Sequence, residues 1–161
     1  MNVYQVATAS IMGLVSVAAA HAEGLCRTGE AAVFNCELKA SVSSLCQSTE
    51  NGVLVYRNGV GEKINLQISD KKNKGNVFFL SNTPYAGGGE THIRFSRLGY
   101  TYYLYDKVIK VDDSPEFFAG IVVYKKNKKI SSLACINNAS IRASAYQSIS
   151  REKYRSIDVQ Q

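Results

Sequence analysis

Residues 83–106 read TPYAGGGETHIRFSRLGYTYYLYD, and they alternate as two antiparallel strands alternate. Gly87, Gly88 and Gly89 free the backbone from Cβ restrictions at the entry. Ile93 and Phe95 then point one way, and Glu90, His92 and Arg94 the other. A turn around Ser96, Arg97, Leu98 and Gly99 reverses the chain into YTYYLYD. The period of two predicts a β-hairpin with one apolar face and one polar, tyrosine-rich face. Tyr100, Tyr102 and Leu104 share one side, and Thr101, Tyr103 and Tyr105 the other. Ile93 and Phe95 are expected to be buried, with His92 and Arg94 reaching solvent.

The same punctuation runs outward from this hairpin. Upstream, VLVYRNGVGEKINLQIS (residues 53–69) reads as a hairpin folded at Asn58 to Gly61, with Ile64, Leu66 and Ile68 on one face. AVFNCELKASVSSLCQS (32–48) gives strands at FNCEL and SSLCQ, reversed at Lys39-Ala40-Ser41, and Glu50-Asn51-Gly52 is a turn. Val77 to Leu80 is a short apolar strand. Downstream, Asp112-Asp113-Ser114-Pro115-Glu116 is an acidic loop that lacks the D-x-D-x-D-G order of a calcium site. FFAGIVVYKKNKKISSLACI (117–136) forms a further hairpin turning at Lys125 to Lys129. VFNCELKASVSSLC and IVVYKKNKKISSLAC echo each other, but two short copies do not make a repeat array. Short strands at this spacing predict an all-β antiparallel fold, with barrel, sandwich and propeller-like ring all open. Residues 23–136 form its single domain. Residues 137–161 are expected to be a tail with one helical turn near 150–155, capped by Ser150, and a loose SIDVQQ end.

Residues 1–22 read as a signal peptide cleaved after Ala22. Val6 to Ala20 is apolar and rich in small residues, and Ala20-His21-Ala22 is an A-x-A site, although MNVYQ lacks the usual Lys or Arg. No other segment approaches membrane-spanning length. The product is therefore expected in the periplasm or outside the cell. Its 19 Lys+Arg against 13 Asp+Glu give a net charge of +6. Lys71, Lys72 and Lys74, and Lys125 to Lys129, are charge runs at turns. They suit solvated tips that discourage edge pairing, or attraction to anions. An exported chain without a recognised binding motif excludes nucleic acid as a partner.

All 4 cysteines follow residue 22, an even number that predicts two disulfides in an exported chain. Cys36 is expected to bond Cys46 across the first hairpin, and Cys26 to bond Cys135. No C-x-x-C pair occurs and His92 is the one histidine after the leader, so no metal site is predicted. Asn138-Ala139-Ser140 is an incidental sequon.

Several short motifs come in order: C-x-x-G-E (Cys26 to Glu30), F-x-C-x-L-K (Phe34 to Lys39) and V-S-S-L-C (Val42 to Cys46). L-x-Y-R (Leu54 to Arg57), Y-A-G-G-G (Tyr85 to Gly89) and G-Y-x-Y (Gly99 to Tyr102) follow. In these the chain resembles a family of small exported bacterial proteins without assigned activity. The resemblance runs to Cys135 and implies an envelope location and disulfides, with no catalytic residues. Tryptophan-containing segments usual in such proteins are missing, since the chain has no Trp. In size, export and β-content alone it is also similar to periplasmic lysozyme inhibitors and immunity proteins.

Glu90, His92 and Arg94 lie at i, i+2, i+4 and share a strand face, where a carboxylate beside imidazole can tune a general base. The partners for a hydrolase are missing: there is no G-x-S-x-G, and paired cysteines leave no nucleophilic thiol. The glycine run lacks the spacing of a phosphate-binding loop and fits close backbone approach. No cofactor is implied. The expected function is therefore a non-enzymatic binding protein. His92, Arg94, Tyr103, Tyr105, Tyr85 and Glu90 are expected to form a face that meets an envelope protein, an acidic one by charge. Its sharpest form is an inhibitor or immunity protein for a wall-degrading enzyme. A small-ligand or glycan binder is the different-class alternative, and a hydrolase comes third.

Overall fold

The computed structural model describes residues 23–70 and 76–157. The expected leader, the lysine turn at 71–74 and residues 158–161 lie outside the described residues. Strands β1 (Glu30–Glu37), β2 (Val42–Ser48), β3 (Leu54–Val60) and β4 (Lys63–Ser69) form a four-stranded meander. β5 (Phe79–Tyr85), β6 (Gly88–Arg97), β7 (Tyr100–Val111), β8 (Ser114–Lys125) and β9 (Lys128–Ala134) follow in order in a second sheet. Its other edge is β10 (Ser150–Arg151), which pairs in parallel with β5. The fold is all-β, as expected. Among the described residues neither sheet closes into a barrel, because each strand order is linear.

The two sheets share one apolar core. Phe34, Leu45 and Tyr56 come from the first, and Leu80, Ile93, Phe95, Leu104 and Ile121 from the second. The rings of Tyr56 and Phe95 lie 4.6 Å apart, and Tyr102 stacks on Phe95 at 5.1 Å. Deep burial of large apolar side chains is the main driving force for holding such layers together.

The central hairpin keeps the expected register, with Ile93 opposite Leu104 and Phe95 opposite Tyr102. Leu98 and Gly99 make its turn, both with positive φ, which matches the right-handed twist of the strands. Asp112 and Asp113 turn β7 into β8 in the same way, so the expected acidic loop shrinks to two residues. Aspartate tolerates this left-handed conformation better than most residues. Ser114 and Pro115 already belong to β8. The hairpin at 53–69 also turns later than expected, at Gly61-Glu62, because Asn58, Gly59 and Val60 stay in β3.

The cysteines pair differently from the expectation. Cys26 bonds Cys46, and Cys36 bonds Cys135. The reason is register. Cys36 stands opposite Ser43, whereas Cys46 stands opposite Ala32. A bulge between Ala32 and Phe34 moves Phe34 and Cys36 onto the core face and leaves Ala32 and Cys46 on the other. Cys36 and Cys46 thus sit on opposite faces of one sheet and cannot meet. Two disulfides fit an oxidising compartment, extracellular or periplasmic. The lead-in is also fixed by buried Arg57, which donates to Glu30 and to the Leu25 carbonyl.

The tail is corrected as well. Its helical turn is α1 (Ala145–Ser148), not 150–155. Ile141, Ala145 and Ile149 recur every fourth residue and drop into the shared core, while Ser150 and Arg151 are drawn into pairing with β5. Ile157, expected at the loose end, is buried. Among the described residues no helix is long and apolar enough to cross a membrane.

Candidate functional site

The second sheet has an outer face, turned away from the shared core. Alternation puts Glu90, His92 and Arg94 of β6 there, beside Lys107, Tyr105 and Tyr103 of β7, their partners in register. Val122 and Phe118 of β8 continue the rows. The start of β6 approaches the far end of β7 closely. A Cβ on Gly88 would lie 1.8 Å from the Val108 carbonyl oxygen, so that glycine serves strand packing.

The tail crosses this face. Beyond β10 the Glu152 amide donates to the Leu80 carbonyl at 2.9 Å. Arg94 then grips the Glu152 carboxylate through Nε (2.9 Å to Oε1) and an Nη (2.7 Å to Oε2), and its guanidinium lies over the Phe79 ring. This charge-assisted pair raises the Arg94 pKa. Two residues on, Tyr154 stacks on His92 with ring centroids 5.1 Å apart. Further along, the Tyr124 hydroxyl donates to the Ile157 carbonyl. The segment behaves as a strap with a period of two: Glu152 and Tyr154 turn toward the sheet, Lys153 and Arg155 toward solvent.

The predicted recognition face is consequently closed. His92 is 0% exposed, Glu90 5% and Tyr103 4%, so the expectation that His92 reaches solvent is overturned. Tyr105 and Tyr85 are half-buried, and Tyr85 donates to the Gly89 carbonyl at 3.2 Å. The structure does bring five of the six together: Glu90 touches His92, Tyr103 packs edge-on to His92, and Arg94 and Tyr105 are their neighbours in register. Tyr85 lies apart, at the end of β5. The alternation was legible; what covers each face was not.

His92 Nε2 donates to Glu90 Oε1, and His92 Nδ1 finds no partner among the described residues. Glu90 also faces Lys107 at 3.8 Å and accepts from the Tyr154 hydroxyl at 3.4 Å. Burial pushes the Glu90 carboxyl up, but the His92 bond, the charges of His92 and Lys107, and Tyr154 outweigh it, and its pKa is lowered. On the inner face Asp106 goes the other way. Burial raises it, offset in part by the Ile141 amide that it accepts at 2.8 Å. A triad of Cys26, Glu30 and Cys46 has metal-like spacing, but its sulfurs are bonded to each other and its carboxylate is held by Arg57.

Sequence reasoning passed over a different surface. The outer ends of β7 and β8 form an arm closed by Asp112-Asp113. Phe117 and Phe118 are neighbours there and point to opposite faces, yet they are 74% and 44% exposed. Val111 at the tip is exposed too, as are Leu133 and Ile136 beside the arm's base. The signal was present in the FF doublet beside Pro115, in a hairpin longer than its neighbours.

The chain matches no protein-family model, no curated protein and no solved structure.

Proposed function

We propose that this chain is an exported, non-catalytic binding protein. Its β7–β8 arm docks on a protein of the bacterial envelope, in the manner of an inhibitor or immunity protein for a wall-degrading enzyme. The supporting observation is the arm itself, with Phe117 and Phe118 exposed on its two faces. Phe117, three-quarters exposed, and Phe118, nearly half exposed, together forfeit roughly 2–4 kcal/mol of burial, a cost that a partner recovers. Two disulfides fit the compartment, and a net charge of +6 favours an acidic partner by steering. The two-layer arrangement of sheets serves as a rigid base from which the arm projects.

The test compares tagged protein with a Phe117→Asp, Phe118→Asp variant in pull-downs from periplasmic extract. Calorimetry against the captured enzyme, and assay of its wall-hydrolysing activity, follow. Aromatic anchors of this kind are typically worth ~2 kcal/mol or more each, so the variant should bind roughly three decades more weakly while its circular dichroism is unchanged. Equal capture by both proteins removes the arm from consideration.

A further inference from the structure

We propose that the arm takes its partner by strand addition: an extended segment of the envelope protein pairs with the free edge of β8 at Pro115 and Phe117. Strand addition rests on the arm as the docking element and specifies what it grips. The free edge follows from the register. The Cys135 amide donates to the Ala119 carbonyl at 2.9 Å, so Ala119 turns its backbone groups away from β7, and by alternation Phe117 and Pro115 do the same. β9 ends at Ala134, and the Ile136 amide donates to the Glu37 carbonyl in the other sheet. No strand among the described residues therefore runs alongside Ser114 to Phe118 on that side. The Phe117 N–H and C=O and the Pro115 C=O are left without a backbone partner there. Proline suits its position, because the N–H it lacks would have faced outward too.

The remaining sheet edges are covered or polar. Ile136 and Arg142 donate to the Glu37 and Val33 carbonyls of β1, and β10 pairs with β5. β4 exposes Lys63, Asn65 and Gln67, while β9 presents Lys128 and Lys129 and carries a bulge opposite Val123 and Tyr124. The arm differs: its bare edge lies between exposed phenylalanines on both faces. In strand addition, main-chain bonds supply affinity and alternate side chains supply selectivity. Running antiparallel to β8, the incoming strand takes the lane that β9 leaves. Its residue opposite Phe117 exchanges both main-chain hydrogen bonds and turns its side chain to the inner face. A cavity of about 260 Å³ opens there beside Ala119, Cys135 and Ala139. An apolar β-branched residue packs best against Phe117 at that point. The next residue faces Glu116, which is exposed and has no ion pair among the described residues, so a basic side chain fits it. A second copy of this chain fits badly. A two-fold axis at Phe117 would push Pro115 of one copy into Cys135 of the other, and an axis at Glu116 would set two carboxylates opposite each other.

The probe is the peptide acetyl-TVIKVT-amide, titrated into the full oxidised protein and followed by amide NMR. Its isoleucine is placed to lie opposite Phe117 and its lysine opposite Glu116. Binding on the order of millimolar should give a saturable shift at the Phe117 amide and slow its hydrogen exchange. Methylating the isoleucine backbone nitrogen removes an inward N–H and should weaken binding roughly tenfold. Methylating the lysine backbone nitrogen, which points away from β8, should change it by less than about twofold. Replacing that lysine by glutamate should weaken binding by about threefold. In the protein, Phe117→Pro should bind at least about fivefold more weakly than Phe117→Ala, since only proline removes the edge N–H. Circular dichroism should be unchanged in both, because the fold does not use that N–H. Three results overturn the proposal. One is no saturable shift at the Phe117 amide up to about 10 mM peptide. Another is equal loss from the two backbone methylations. The last is a shift of the Phe117 amide on raising the protein concentration alone, which puts a second copy on the edge. The pull-down separates this from the arm's role. If the peptide fails while Phe117→Asp, Phe118→Asp loses capture, the arm docks through side chains alone. If the peptide binds as stated and capture is unaffected, strand addition stands and the envelope partner of the arm falls.

Discussion

The two faces of β6 and β7 come from the same residues in alternation, and they are covered by opposite means. On the inner face Ile93, Phe95 and Leu104 meet another sheet, and their contact is made by apolar area, with the Cys36–Cys135 disulfide bridging at the edge. On the outer face Glu90, His92, Arg94 and Tyr103 meet the chain's own tail, and the contact is held by a bidentate ion pair, a ring stack and a buried carboxylate. The inner contact is non-directional and tolerates small shifts. The outer one works only if each polar group finds its partner, since an unpaired buried charge costs far more than a lost van der Waals contact. Burial alone therefore does not say what a face is for.

The largest way to break the comparison is on the inner side. Phe95→Ala removes a wholly buried ring that touches Tyr56, Phe78 and Tyr102, and should cost about 3–5 kcal/mol in urea unfolding. His92→Ala tests the outer side directly. It takes from the buried Glu90 carboxylate its nearest partner, leaving Lys107 and Tyr154, and removes the ring under Tyr154, and should cost about 2–3 kcal/mol. A cost well under 1 kcal/mol would mean that the strap does not seal the face.

A finer measurement is the double-mutant cycle Arg94→Ala with Glu152→Ala. The pair is only about a quarter exposed, so a coupling near 1 kcal/mol is expected, and additive losses would detach the strap from β6. The smallest effect is on pH. Glu90 and Glu30 titrate below their usual 4.5 in the folded chain. Their contribution is complete above about 4.5 and is lost as pH falls through the lowered values. Asp106, raised by burial, has the opposite sign and weakens the fold as pH rises through its value. Unfolding curves at descending pH should thus decline more gently for Glu90→Gln than for the parent chain, and Asp106→Asn should raise stability at neutral pH.

Alternation in residues 83–106, the turn residues and the even cysteine count were enough to derive an all-β fold of antiparallel hairpins, the inward set Ile93 and Phe95, and two disulfides. All of these are local matters. Side chains alternate at every step of a strand, and turns obey the conformational limits of a few residues. Only the tertiary structure decided the rest. The bulge at Val33 chose which cysteines met, because one extra residue flips every later side chain to the other face. The sparse apolar residues of 137–157 looked like an unpacked tail, and yet Ile141, Ala145, Ile149 and Ile157 are all buried. A strand's pattern tells which side chains share a face. It cannot tell what will come from elsewhere in the chain to cover them, and that is why His92 was read as exposed.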